Sequence, residues 1–248
     1  MKPYHSEAGI QIFLGDCREI LGDIKADAVV TDPPYGDTSL EWDVPVSGWP
    51  SLLQSNALWC FGSFRFFMAM SHLLVAGGWR YAQEIVWEKQ NGSGFAADRF
   101  KRVHEFAVHW YRGAWGDQHR DVPRTMDATA RTVRRKQRPP HMGDIERGTF
   151  TSEDGGPRLT RSVLRVPSCH GEAEHPTQKP IGILRPLIQF SCPADGTVLD
   201  PFMGGGSTLV AAKEMGRKAI GIEVQEKFCE VAANRLRQGV MPFAFEAM

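Results

Sequence analysis

At 248 residues, with 42% hydrophobic and 23% charged residues, the chain is long enough for one large α/β domain carrying an insertion and is ordinary in composition for a soluble globular protein. No apolar run reaches the length of a membrane span, and five scattered cysteines, an odd number, argue against a disulfide framework. The net charge of zero hides an asymmetry: 11 Lys/Arg against 4 Asp/Glu between Arg99 and Arg138 leave that segment at +7 and the rest at −7, so a polyanion is the expected partner.

Taken in chain order, "MKPYHSEAGI" lacks the apolar core of a signal peptide, so a cytoplasmic protein is expected. "IQIFLGD" (10–16) alternates as a strand does. "AVVTDP" (28–33) is a short apolar run that fits a buried strand, and it opens into "TDPPYG" (31–36). Prolines end a strand because they lack the N–H that a ladder needs. Asp32 and Tyr35 are thereby held on a stiff backbone at a strand's C-terminal end, where open α/β sheets bind ligands. "ALWCFG" (57–62) predicts the next strand, and "FRFFMAMSHLLVAGG" (64–78) a helix closed by Gly77-Gly78. "AQEIVW" (82–87) and "EFAVHWY" (105–111) predict two more strands.

Residues 113–165 break this rhythm. They are polar, Arg-rich and punctuated by Gly and Pro, and they read as an inserted recognition module between a first half, 1–112, and a second half, 166–248. Beyond them "TVLDPF" (197–202) and "AIGIEV" (219–224) bring the candidate strands to seven. "STLVAAKEMG" (207–216) predicts a helix capped by Ser207, and "EKFCEVAANRLRQG" (226–239) a last helix with Arg235 and Arg237 in its final turn. Strands alternating with helices predict a mostly parallel sheet covered on both faces.

Between the strand ending at Asp200 and the helix after it lie Gly204, Gly205 and Gly206. Such glycines let a backbone approach a ligand, and the helix N-terminus offers N–H groups to a carboxylate or phosphate. Nineteen residues after Gly204, Glu223 ends the next strand at a distance suited to holding ribose hydroxyls. A dinucleotide and S-adenosylmethionine both carry such a ribose, though the spacing is not G-x-G-x-x-G.

Together "GDC" (15–17), "TDPPYG", "EIVWEK" (84–89), "HPTQKP" (175–180), "DPFMGGGST" (200–208) and "GIEV" (221–224) resemble the amino-group (N6-adenine/N4-cytosine) DNA methyltransferases in their beta-type motif order, catalytic motif first and cofactor motif last. The resemblance implies a Rossmann-like S-adenosylmethionine-dependent methyltransferase fold: a seven-stranded, mostly parallel sheet with one antiparallel strand and helices on both faces. It implies a catalytic motif of Asp32, Pro33, Pro34 and Tyr35, with Asp32 also bordering the cofactor. Asp200, Phe202, Gly204, Gly206, Ser207 and Thr208 would shape the cofactor turn, and Glu223 would hold the ribose. Asp16 would lie near the adenine of the cofactor, and Thr177 and Lys179 by its methionine end. The cofactor turn departs from the G-S-G-T-T of many relatives, and the recognition region matches no pattern.

The resemblance gives those residues a chemistry. Asp32 and the Pro33 carbonyl would each accept a hydrogen of an exocyclic amine, and Tyr35 would stack on a base flipped out of duplex DNA. Asp at the first motif position favours adenine N6, with cytosine N4, or less readily an RNA or protein amide, as the alternatives. Arg131, Arg134, Arg135, Lys136 and Arg138 are expected to contact phosphates, and a homodimer could cover both strands of a palindrome. No metal site is expected, because Cys169, His170 and His175 lack a second cysteine pair at zinc-finger spacing. Trp42, Trp49 and Trp59 are assigned to packing.

Overall fold

Four consecutive buried residues, Ala28 to Thr31, cannot alternate between core and solvent, so they belong in the middle of a sheet covered on both faces. The computed structural model, which describes residues 2–93, 97–134, 148–169, 171 and 177–238, puts them there. The strands run β1 (His5–Glu7), β2 (Ile10–Leu14), β3 (Ala28–Thr31), β4 (Ala57–Gly62), β5 (Arg80–Ser93) and β6 (Arg102–Tyr111), then the short β7 (Arg124–Thr125), β8 (Arg131–Arg134), β9 (Thr149–Ser152) and β10 (Arg158–Leu159), and last β11 (Val163–Arg165), β12 (Thr197–Asp200) and β13 (Lys218–Glu223). The helices are α1 (Cys17–Ile20), α2 (Trp49–Leu52), α3 (Phe64–Ala76), α4 (Ile181–Ser191), α5 (Ser207–Glu214) and α6 (Glu226–Arg237).

The main sheet has the order β1-β2-β13-β12-β3-β4-β6-β5-β11. Its seven inner strands are the seven read from the sequence, all parallel except β6, which is antiparallel to both β4 and β5. Two short edge strands extend it: β1, antiparallel to β2, and β11, parallel to β5. The sheet therefore holds a second antiparallel strand, and its edges are closed by segments of three residues each, too short to announce themselves.

Alternation along the strands sorts the core into two clusters. Ala28, Val30, Trp59 and Phe61 face α4, α5 and α6 through Leu184, Ile188, Leu209, Ala232 and Leu236. Val29, Leu58 and Cys60 face α1, α2 and α3 through Ile20, Trp49, Phe66 and Met70. α5 begins one residue earlier than its sequence suggests: Gly206, at φ 78°, is the N-cap, and Ser207 is the first helical residue. All five cysteines are free thiols. Among the described residues no helix is long and apolar enough to cross a membrane.

Residues Val122–Arg161 form a second compact unit. Within it β7 pairs with β10 and β8 with β9, each antiparallel. Its loops are tied by Arg158 to Asp127 at 2.7 Å and by the Ala130 N–H to Asp154 at 2.6 Å.

The topology fixes where a ligand can sit. From β3 the chain goes on to its neighbour β4 on one side, and from β12 to β13 on the other. A crevice therefore opens beyond the C-terminal ends of the adjacent strands β3 and β12. "DPPY" follows the first of these and "DPFMGGG" the second.

Candidate active site

Asp32 is the first residue after β3, and Pro33 and Pro34 prevent the strand from continuing. Its Oδ1 accepts the Tyr35 hydroxyl, and its Oδ2 accepts the Lys179 ammonium. Burial pushes the Asp32 carboxyl above its ordinary range, and Lys179 pulls it back. Burial also pushes the Tyr35 phenol well up, so it stays protonated and donates. The Tyr35 ring packs on Phe66 at 5.3 Å between centroids. Burial alone would lower the Lys179 pKa, but Asp32 and then Glu105 more than restore it.

The loop after Tyr35 is organised by one side chain. Asp43 accepts the Tyr35 and Gly36 N–H groups on Oδ1, both at 2.9 Å, and the Thr38 N–H and hydroxyl on Oδ2, both at 2.7 Å.

Across the crevice Asp200 ends β12 and is buried. It accepts the Thr31 hydroxyl at 2.7 Å and the Phe202 N–H at 3.1 Å, tying the ends of β3 and β12 together. Burial raises its pKa to about 6, against the pull of Thr208 and Thr31. Glu223, at the end of β13, accepts the Gly204 N–H at 3.1 Å and the Gln225 N–H at 2.8 Å. Burial raises its pKa as well. Gly206 serves packing: a Cβ there would lie 2.7 Å from the Ala232 Cβ, so glycine alone lets α5 start against α6. Asp16 caps α1 through the Arg18 N–H at 2.9 Å and pairs with the Arg18 guanidinium.

These groups surround two cavities. The first, of 480 Å³, is lined by Asp16, Asp32, Thr177, Lys179, Asp200, Phe202, Gly204, Ser207, Thr208 and Glu223, so every expected cofactor residue except Gly206 borders it. The second, of 390 Å³, is lined by Asp32, Pro33, Pro34, Tyr35, Trp87, Lys89, Glu105 and Lys179. Asp32, Trp42 and Lys179 line both. The sequence reading left Trp42 to packing and did not single out Asp43, Trp87, Lys89 or Glu105. "EIVWEK" was the available signal for Trp87 and Lys89, and Glu105 faces Trp87 across the β5–β6 pair.

Arg131 and Arg134 stand at the two ends of β8 in the second unit, both exposed. Arg135, Lys136, Arg138, His170 and His175 lie outside the described residues.

A model of the N6/N4 DNA methylases matches residues 26–234. The chain belongs to this family. The methylase is 23% identical over 95% of its length to the Type II methyltransferase M.ScaI of Streptomyces caespitosus, covering 84% of that protein. It is 26% identical over 92% of its length to the Type II methyltransferase M.HinfI of Haemophilus influenzae, covering 68% of it. Among solved structures, an M1.HpyAVI–SAM complex superposes with a TM-score of 0.64 at 26% identity, over 91% of this chain and 99% of that one. The PvuII DNA methyltransferase, described as cytosine-N4-specific, shares the fold at a TM-score of 0.63 and 14% identity, over 100% of this chain and 90% of that one.

The protein is thus a DNA amino-methyltransferase, of the N6-adenine or N4-cytosine kind, and its methyl donor is S-adenosylmethionine. The larger cavity fits that donor chemically. Glu223 retains acceptor capacity beyond its bonds to backbone N–H groups, so it can accept from a ribose hydroxyl. Among the described residues the start of α5 has no side-chain cap, so its first N–H groups can face a carboxylate. Phe202 supplies an apolar wall for a flat ring.

Proposed function

We propose that the enzyme methylates the N6 amine of an adenine flipped out of duplex DNA into the 390 Å³ cavity, at a specific site, as part of a restriction-modification system. The observation that carries this reading is the position of Asp32, which lines both cavities, with Tyr35 beside it in the second. In their order here, Asp32, Pro33, Pro34 and Tyr35 are the catalytic turn, and Asp at its head favours adenine over cytosine.

Bound S-adenosylmethionine supplies an electrophilic methyl group on sulfur. The amine's lone pair is delocalised into the base ring, so the protein must localise and aim it. The Asp32 carboxylate retains two unused lone pairs and accepts one amine hydrogen, and the Pro33 carbonyl accepts the other. Acceptors placed there stabilise the positive charge that grows on nitrogen during transfer. Tyr35, fixed against Phe66 and by its own hydroxyl, stacks on the base, which is worth about 1–3 kcal/mol toward unpairing it. The remaining contribution is positioning of an in-line displacement. Asp16, Thr177 and Lys179 belong to this reading as groups around the donor, Glu223 as its ribose acceptor, and Arg131, Arg134, Arg135, Lys136 and Arg138 as phosphate contacts. A homodimer, with one copy per strand of a palindrome, belongs to it too, and sedimentation with and without duplex measures that.

The test is transfer of labelled methyl groups to duplex DNA followed by nucleoside analysis. The expected product is N6-methyladenine, and N4-methylcytosine would overturn the choice of base. Asp32→Ala is expected to abolish transfer while calorimetry still detects S-adenosylmethionine binding. Undiminished transfer by that variant would remove Asp32 from the chemistry.

A further inference from the structure

Glu105 is a carboxylate with no role in the chemistry set out so far. It lies on β6, its side chain is 13% exposed, and it lines the cavity read above as the base site. A carboxylate so desolvated persists only when it is paired. Its partners are Lys89 at 3.2 Å and Lys179 at 3.6 Å, and Lys179 is the same ammonium that Asp32 holds. Two carboxylates and two ammoniums form one cluster with no net charge, and the neighbouring Arg102, which also acts on Glu105, is balanced by its own pair with Asp37 at 3.4 Å.

We propose that Glu105 is a positioning residue for methyl transfer: it holds Lys89 and Lys179 around Asp32 and draws Lys179 toward itself when a base amine reaches the Asp32 carboxylate. The inference rests on reading the smaller cavity as the base site. Two consequences of the geometry support it. Both Asp32 oxygens are already engaged, one by the Tyr35 hydroxyl and the other by Lys179. An amine arriving at the second oxygen shares it with an ammonium on a flexible four-carbon stem, and a second acceptor 3.6 Å away lets that stem yield without losing a partner. Charge is the other consequence. Without Glu105 the cluster carries +1 in a dry site, directly opposing the positive charge that grows on the amine nitrogen.

Glu105→Gln keeps the shape and removes the charge. It is expected to lower kcat roughly ten- to a hundredfold, as misplaced catalytic groups do, while leaving the calorimetric affinity for S-adenosylmethionine unchanged. Asp32 faces Lys179, Glu105 and Tyr35, with Lys89, Cys60 on β4 and Asp200 on β12 further round it. Glu105 is the anion among them that burdens the ionised form of Asp32 most, so its loss is expected to move the acid limb of the pH–rate profile to lower pH. Carboxyl carbon-13 titration of Asp32 in the cofactor-free protein reads the same displacement without turnover. Glu105→Asp keeps the charge, so it should lower kcat with the acid limb in place; it also serves if the Gln variant does not fold. Wild-type kcat together with an unmoved acid limb in Glu105→Gln would overturn the assignment, as would a loss of stability alone with that limb unmoved. If the wild type methylates adenine in DNA and these variants behave as it does, only the role of Glu105 falls. A wild type that leaves DNA adenine unmodified would refute the function itself.

Discussion

Asp43 has a carboxylate with four donors converging on it, three of them backbone N–H groups of the loop that carries Tyr35. Burial raises its pKa, but the bonds from Thr38, Gly36 and Tyr35 outweigh that and hold the carboxyl below its usual range. Because the folded pKa is depressed, this stabilisation is complete above the ordinary carboxylate pKa of 3.8 and is lost only as pH falls through the lower folded value. Asp43→Asn turns an NH₂ group toward N–H donors that need an acceptor. The expected loss is about 2–3 kcal/mol in urea unfolding at pH 7, because bonds to a charged group are among the stronger ones. A lower kcat should accompany it, since Tyr35 loses the bond that fixes its backbone. Unfolding midpoints and steady-state rates check both, and a variant with unchanged stability would show that the loop holds its shape without Asp43. The sequence gives no warning of this residue. A carboxylate eight positions beyond Tyr35 on an irregular loop has no period and no fixed offset, and Glu105 is equally silent because its partners arrive from other elements. Asp32 and Asp200, by contrast, were legible because each stands at the end of an apolar strand before a turn of prolines or glycines.

Legibility at the level of elements followed burial. The seven inner strands are apolar runs bounded by turn residues, so they can be read directly, whereas β1 and β11 are three residues each and mostly exposed. α4 was hidden by its prolines. Pro180 precedes it as the N-cap and Pro186 lies inside it, where a missing N–H ordinarily ends a helix. Its buried Ile183, Leu184, Leu187 and Ile188 nevertheless keep a helical face, and packing on the sheet prevails over propensity. β6 carries a different cost of burial. His109 is 1% exposed, stacks on Trp59 at 4.6 Å, and has no hydrogen-bond partner for either ring nitrogen among the described residues. Burial depresses its pKa to about 4. Between that value and its ordinary 6.5 the unfolded chain binds the extra proton, so stability rises with pH through this window. The loss on acidification approaches ~1.4 kcal/mol for each pH unit below 6.5. His109→Phe should keep the stacking and remove this part of the slope. Urea unfolding of both proteins at several values between pH 7 and pH 4.5 checks it, and parallel slopes would show that His109 is not the titrating group.

For the whole molecule, a net charge of zero is the sum of a +7 segment and a −7 remainder, and the second unit carries part of the positive half. Arg131 and Arg134 are exposed on β8, a strand without any buried residue, so packing does not explain their presence. Proteins that neutralise phosphates release counterions, and log K against log salt then falls with a slope of about −0.9 for each contact. If the two arginines touch phosphates, Arg131→Ala and Arg134→Ala should each make that slope shallower by about 0.9 and weaken binding alike on unrelated duplexes. Neither should change kcat at saturating DNA or the affinity for S-adenosylmethionine, whose cavity is built by residues of the main unit. A base-reading arginine would behave differently, with a penalty of about 1–3 kcal/mol confined to one sequence. Anisotropy titrations across a salt series, on the methylated sequence and on a scrambled one, separate the two. An unchanged slope in both variants would take β8 off the DNA and leave the segment beyond Arg134, with Arg135, Lys136 and Arg138, as the source of the basic face.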